Sequence, residues 1–369
     1  MMKKIKKAGI VLMILIFFLV LTVIIGLLFL KLYPSVGNTP GQNEMEQFGS
    51  KTSLFHDAQF HNEHEFSLMS GKGYPVSTRR RPKKRITAET PNLMSNMKDE
   101  SLSFTWLGHS SFLLQLGKKN ILVDPVLSER SSPVSFAGPK RFSEIPITAE
   151  KMPEIDILFL SHDHYDHMDY GTIKALKSKV KKFIVPAGID SILRGWDIDD
   201  EKICTLYWWE NVEIDGFHYT LTPSQHFSGR NPLKRNITYW GGLYITNDFH
   251  RIYYTGDGGY CNVFKEVKEK LGSPDLMISE CGQYDPSWAF VHMFPEEAVQ
   301  ASLDVGATRM IPVHWGAFCI CNHAWDDSII RVTKSARENN VKLATPRIGE
   351  TVDYDNIDSF HEEWWVGQE

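Results

Sequence analysis

The stretch Ser161-His162-Asp163-His164-Tyr165-Asp166-His167 decides how the rest of the chain is read. It packs three histidines and two aspartates into seven residues. His162, His164, Asp166 and His167 sit at spacings that let them converge on a metal, and imidazole nitrogen with carboxylate oxygen is the ligand set that catalytic zinc takes. The run Ile155-Asp156-Ile157-Leu158-Phe159-Leu160 just before it reads as a buried strand. A loop at the carboxyl end of a strand is where α/β folds tend to place their chemistry. Composition alone seldom produces this spacing directly after a buried strand.

Such a site needs further ligands, and the chain offers them downstream. His226 lies in Thr222-Pro223-Ser224-Gln225-His226, Asp257 in Thr255-Gly256-Asp257-Gly258-Gly259, and His314 in Ile311-Pro312-Val313-His314. Each follows an expected strand or sits in a glycine turn. A lone histidine after a strand is more often structural, but the pattern repeats. No GxGxxG or Walker spacing is present, so the glycines serve to bring the Asp257 backbone close rather than to cradle a nucleotide. Upstream, short strands at 103–107, 112–116 and 121–125 flank His109 and a hairpin turn at Gly117-Lys118-Lys119-Asn120. His109 fits either a position behind the ligands or a structural role. A helix over 170–178 and a strand over 183–186 follow. Short strands with intervening helices suit a sheet sandwich with helices on its outer faces.

The 369 residues are 42% hydrophobic and 12% aromatic, enough for a sizeable core, and the net charge of -5 argues against nucleic acid as a partner. The five cysteines form no CxxC pair, and Cys319 and Cys321 read as packing residues. The segment Ala8 to Leu30 carries no charge and would span a bilayer as a helix. Lys3, Lys4, Lys6 and Lys7 precede it, so the positive-inside rule puts the amino terminus in the cytoplasm and the catalytic domain outside. The apolar core is too long for an ordinary signal peptide, and Lys31-Leu32-Tyr33-Pro34 is a poor cleavage site. The expected division is an anchor at 1–33, a polar linker at 34–73 with a short helix around 44–60, and a hydrolase domain at 74–369. His56, His61 and His64 read as solvated linker residues. Six basic residues among Thr78 to Arg85 suit either anionic lipid head groups or a solvated, charge-paired loop.

The motif resembles the His-x-His-x-Asp-His signature of the metallo-β-lactamase superfamily, an αββα sandwich of the α/β class with one or two metals at the sheet edges. Further runs resemble its N-acylphosphatidylethanolamine-hydrolysing phospholipase D branch: Thr105-Trp106-Leu107-Gly108-His109, Gly138-Pro139-Lys140-Arg141-Phe142, Trp208-Trp209-Glu210, Pro223-Ser224-Gln225-His226, Pro295-Glu296-Glu297 and His314-Trp315-Gly316. The resemblance covers roughly residues 74–349. It implies two Zn²⁺ per chain, one held by His162, His164 and His226, the other by Asp166, His167 and His314, with Asp257 bridging. It further implies His292 at the substrate phosphate and Tyr165, Tyr170 and Arg230 lining the site. Asp166, Asp257 and His292 would carry catalysis, and a hydroxide shared by the metals would attack phosphorus. Asp163, pointing the other way by alternation, would orient a ligand histidine. Gly229 and Val291 stand where the branch has lysine and glutamine. The ligand set also accepts iron or manganese. A zinc lactonase or a soluble phosphodiesterase would use the same site, and a non-catalytic membrane-anchored binding protein is the rival from another class. The expected partners are a membrane lipid or phosphodiester substrate and the membrane itself, and a homodimer is compatible with the sequence.

Overall fold

The computed structural model describes residues 2–64, 66–67, 69 and 71–368, with side chains from residue 9 onward. Strand alternation divides the side chains between two environments. Phe104, Trp106, Phe112, Leu114, Ile121, Val123, Ile157 and Phe159 enter one buried cluster. Their neighbours Leu107, Leu113, Leu122 and Leu158 enter another, together with Ile173 and Leu176 of the helix Tyr170–Leu176 and Ile189, Ile192 and Leu193 of the helix Ile189–Gly195. The first sheet therefore has one face on its partner sheet and one face on helices. Its strand order is Thr351–Asp353, Leu102–Gly108, Ser111–Leu116, Lys119–Val123, Ile155–Phe159, Val180–Pro186 and Ile203–Leu206.

The second sheet runs Arg309–Val313, Leu276–Glu280, Arg251–Tyr254, Gly242–Thr246, Phe217–Thr222 and Asn211–Ile214. Tyr254 meets Phe112 of the first sheet at 5.2 Å between rings, whereas its neighbour Tyr253 meets Phe264 of the helix Val263–Leu271 at 6.5 Å. Opposite faces of one strand thus touch the partner sheet and the outer helices, which also include Pro295–Val305 and Asp327–Glu338. The architecture is the expected αββα sandwich. Its parallel strands matter most for function. Lys119–Val123 and Ile155–Phe159 run side by side in one sheet. Arg251–Tyr254, Leu276–Glu280 and Arg309–Val313 do so in the other. Their carboxyl ends lead directly into Asp124, Ser161, Asp257, Cys281 and His314.

The amino-terminal helix Met2–Leu32 contains the apolar stretch Gly9–Leu32, 24 residues with no burial against the domain. At 1.5 Å per residue this is about 36 Å, which fits a single-pass anchor. The side chains of Lys3, Lys4, Lys6 and Lys7 lie outside the described residues.

Two expectations require correction. The described part of segment 34–73 packs on the domain rather than running free as a polar linker, although His56 and His64 are exposed as expected. Its helix is Gln42–Lys51, and the expected helical continuation to residue 60 is instead a hairpin pairing Phe55–His56 with Gln59–Phe60. Phe48, Phe55 and Phe60 are buried with Tyr239 and Trp240, and Phe60 stacks on Tyr239 at 4.4 Å. Those aromatics make the segment adhere to the domain. The basic run is likewise attached: Arg79 pairs with Asp326, Arg80 Nε donates to the Cys321 carbonyl, and Arg85 pairs with Glu129. Of its two readings, the charge-paired loop describes these three arginines. Cys319 and Cys321 are buried, in keeping with packing roles.

The carboxyl terminus closes the edge beside His314. Trp364 stacks on Trp315 at 5.3 Å and lies 6.4 Å from Trp106. Trp364→Ala is expected to lower the unfolding free energy by about 3–5 kcal/mol, measured by urea titration of the full chain in detergent.

Candidate metal centre

Turns at the carboxyl ends of strands from both sheets carry the site. The motif loop leaves Ile155–Phe159 and is stapled at once: the Ser161 amide donates to Asp124 Oδ1 at 2.7 Å and the Ser161 hydroxyl to Oδ2 at 2.5 Å. The same Oδ2 accepts from His167 Nδ1 and from the Tyr254 hydroxyl, each at 2.7 Å. With Nδ1 committed to Asp124, His167 presents Nε2 to the interior of the site. His226 donates Nδ1 to the Val291 carbonyl at 3.0 Å, which turns its Nε2 inward. His314 Nδ1 lies 2.8 Å from the Ser110 hydroxyl and 3.2 Å from Asp257 Oδ1.

Two ligand groups result. His162, His164 and His226 form one, with His164 Nδ1 lying 2.9 Å from His162 Nε2 and 3.3 Å from His226 Nε2. Asp166, His167 and His314 form the other, joined by His109. Asp257 lies between them: its Oδ2 is 3.0 Å from His167 Nε2 and 3.8 Å from His162 Nε2. Motif spacing offered four of these residues, strand ends and a glycine turn offered the other three, the family resemblance implied the full set, and the fold brings all seven together. Gly256 makes the approach of Asp257 possible. Its φ is +62°, and a Cβ there would sit 2.6 Å from the Gly241 carbonyl oxygen.

The arrangement fits divalent metal. A tetrahedral ion with metal–nitrogen bonds of about 2.0–2.1 Å sets its nitrogen ligands about 3.3 Å apart, close to the spacing of the first group. His167 Nε2 and Asp257 Oδ1 are buried and, among the described residues, make no hydrogen bond; the Nε2–Oδ2 approach at 3.0 Å lacks the alignment for one. Leaving such groups unpartnered costs about 1–3 kcal/mol each, which a bound cation relieves. Burial, reinforced by neighbouring histidines, holds His162 and His226 well below the ordinary histidine value, and burial does the same to His314. Burial also lowers His164. Neutral imidazoles are what a metal requires. His167 goes the other way: burial opposes its charge, but Asp257, Asp166 and Asp124 outweigh it and raise its pKa well above normal. Burial would raise Asp257, yet His167 and His314 hold it well below the usual carboxylate range. Asp166 is likewise depressed against its burial, by His167 and His109.

Other expected residues divide. Tyr165 and His292 line a cavity of about 360 Å³ above the ligands. Tyr170 does not: its ring packs on Trp196 at 5.1 Å and its hydroxyl accepts from Lys174. Arg230 is also misplaced by the sequence reading. Its guanidinium is buried and donates to the backbone carbonyls of Ser35, Asp163 and Met168. A planar fork with five donors suits that bracing role. Asp163 orients no histidine; it accepts from the Gly229 and Arg230 amides and the Thr238 hydroxyl.

The sequence reading missed several residues. Asp124 carries no motif beyond Asp-Pro. Ser110 positions His314. His109 was not among these: the sequence allowed it a position behind the ligands, and it donates Nε2 to Asp166 at 2.9 Å. Asn62 grips both the amide and carbonyl of His226. Glu280 lies 3.5 Å from His292 Nδ1. Burial raises the Glu280 pKa; burial opposes charge on His292, but Glu280 and Asp257 raise it. Of the residues not anticipated, Asp124 had a legible signal, a carboxylate directly after a strand.

Removing the support of a metal-ligating histidine costs about 10–100-fold in metal affinity. Asp124→Asn is expected to weaken metal binding by about that factor while every candidate ligand remains, as measured by competition with a chromogenic chelator.

Comparison with known proteins agrees with this geometry. The Beta-lactamase superfamily domain model matches residues 119–315. An uncharacterised Mycobacterium tuberculosis protein is 36% identical over 289 residues, covering 77% of each chain. The N-acyl-phosphatidylethanolamine-hydrolyzing phospholipase D 1 of Caenorhabditis elegans is 36% identical over 233 residues, 60% of this chain and 65% of that protein. Among solved structures, Igni18, a metallo hydrolase of Ignicoccus hospitalis, shares the fold with a TM-score of 0.53 at 19% identity, over 69% of this chain and 98% of that one. A sandwich that gathers histidines and aspartates at its strand ends, together with the matching domain model, places the chain in the metallo-β-lactamase superfamily as a metal-dependent hydrolase.

Proposed function

We propose that the chain is a membrane-anchored phosphodiesterase of the phospholipase D type, acting with two zinc ions on N-acylphosphatidylethanolamine-like lipids. The observation that carries this reading is the cavity above the ligands. Its floor is His164, Asp166, Asp257 and His314, and its walls include Met69, Phe227, Trp288, Val291 and Ile320. An apolar wall over a charged floor suits an ester whose polar head meets metal while its chains leave along the wall. The name of the worm relative supports the same substrate class. In this reading residues 1–33 anchor the enzyme, 34–73 brace the site and 74–369 form the hydrolase, outside the cytoplasm.

His162, His164 and His226 would hold one ion, Asp166, His167 and His314 the other, and Asp257 would contact both. Bound metal supplies Lewis-acid polarisation of a phosphoryl oxygen and a water of lowered pKa. The remaining work falls to side chains. His292, at the cavity edge and backed by Glu280, contacts the phosphate and can pass a proton to the leaving oxygen. A Cβ at position 229 would lie 3.6 Å from His164 Nε2, so glycine leaves that face of the site open. The cationic wall contact that a lysine there would give falls to Arg235, which lines the cavity above the Phe227 ring at 4.7 Å.

The test is hydrolysis by the full chain in detergent, given N-acylphosphatidylethanolamine vesicles, a soluble phosphodiester and a lactone. Turnover of the phospholipid, lost on chelation and restored by zinc, is expected. Turnover of the soluble substrates alone would overturn the lipid assignment. Asp257→Ala is expected to abolish turnover, and His292→Gln to lower kcat by about 100-fold or more with metal content unchanged.

A further inference from the structure

Just beyond the anchor, the chain is fastened to the catalytic loops rather than tethered loosely. The Pro34 carbonyl accepts from Trp196 Nε1 at 2.7 Å. The Ser35 hydroxyl donates to the Pro133 carbonyl at 2.7 Å. The Ser35 carbonyl accepts from Arg230 Nε and Nη2 at 2.8 and 2.5 Å, while Nη1 of the same arginine donates to Asp163 and Met168 carbonyls in and beside the metal motif. The chain just after the apolar helix is therefore fastened beside the loop that carries the candidate ligands.

Two surface loops touch both the anchor exit and the cavity mouth. In residues 131–139, Ser131 and Pro139 line the cavity, Pro133 binds Ser35, and Phe136 at the tip is 81% exposed. In residues 227–235, Phe227 and Arg235 line the cavity and Arg230 binds Ser35. Leu233, 65% exposed, and Lys234 face Leu27, Leu30 and Lys31 of the helix across a cleft of about 480 Å³. Leu27 and Leu30 belong to the stretch that would lie in the bilayer. A loop beside them is at head-group depth. An exposed apolar tip beside a lysine, as in Leu233-Lys234, is the composition of an interfacial membrane contact, and Phe136 adds a second exposed apolar tip.

We infer that the mouth of the cavity is held against the surface of the same bilayer that carries the anchor, with Phe136 and Leu233 inserted among the head groups and Lys31 and Lys234 on lipid phosphates. Substrate then enters sideways from the leaflet without crossing water. The membrane contact stands on the anchor geometry alone; the substrate route rests on the lipid reading above.

The full chain in nanodiscs of phosphatidylcholine and phosphatidylglycerol provides the test. Benzoylphenylalanine is placed singly at Phe136, Leu233 and Phe249. Phe249 is 53% exposed in the Asn247–His250 turn, at the opposite end of the second sheet from the metals. After irradiation, mass spectrometry is expected to find lipid adducts at 136 and 233 about tenfold above those at 249. Equal yields at the three sites, or adducts at 136 and 233 mainly to protein, would overturn the contact. In a second arm, Phe136→Asp with Leu233→Asp is expected to lower phospholipid turnover in the discs about tenfold and leave turnover of a soluble phosphodiester within about twofold. Lipid adducts without any phospholipid turnover by the parent chain would sink the substrate reading and leave the membrane contact standing. Equal phospholipid turnover by parent and variant would overturn the sideways entry.

Discussion

Asp124 is a buried carboxylate that accepts from Ser161 twice, from His167 and from Tyr254. Those bonds join two parallel strands of one sheet to each other and to a strand of the second sheet. A buried carboxylate without partners is costly, and a fully satisfied one is rigid. The motif loop leaves its strand in one direction because Asp124 allows no other. His167 then has one free nitrogen, and that nitrogen faces the other ligands. The rest of the centre is arranged around this fixed point.

The opposite wall depends on backbone rather than charge. Asp124, His109 and His314 all adopt positive φ, at 42°, 55° and 70°. Such conformations are unfavourable for residues with a Cβ and persist where the surroundings over-determine them. The surroundings here are explicit. The His109 amide donates to the Trp315 carbonyl and the His314 amide to the His109 carbonyl, so turns from the two sheets hold each other. Gly282 packs so closely on His314 that a Cβ would lie 1.7 Å from its carbonyl oxygen. The tryptophans at 106, 315 and 364 seal the outer side of this clasp. The strain is thus spent on aiming His314 at Asp257.

The amino-terminal region belongs to the site as much as the strands do. Asn62 holds the backbone of His226, Ser35 meets Arg230, and the aromatic residues 48, 55 and 60 pack under Tyr239. The described residues after the apolar helix and the loop bearing the candidate ligands are joined by these contacts. That continuity explains why a region poor in periodic pattern is nevertheless ordered. Its burial comes from a few large side chains landing on aromatic surface of the domain, which no local repeat announces.

How much was legible follows from this division. Local pattern indicated the strands, the sandwich class, the apolar helix and the candidate ligands, because side-chain alternation, apolar length and His/Asp spacing are properties of short windows. His162 to His167 and the three later candidates could be picked out from such windows. The partners behind them could not. Ser110, Glu280 and Asn62 are ordinary residues in sequence and become specific only where strand ends from two sheets and a distant hairpin converge. Arg230 and Tyr170 show the reverse case: polar residues beside a motif look like substrate contacts, yet their side chains turn to the backbone near Ser35 and to the helix bearing Lys174. The direction of a side chain is set by what packs on it: Ser35 for Arg230 and Trp196 for Tyr170 are distant in sequence, and neither is announced by the motif itself. Chemistry was written in the sequence; aim was decided by the tertiary structure.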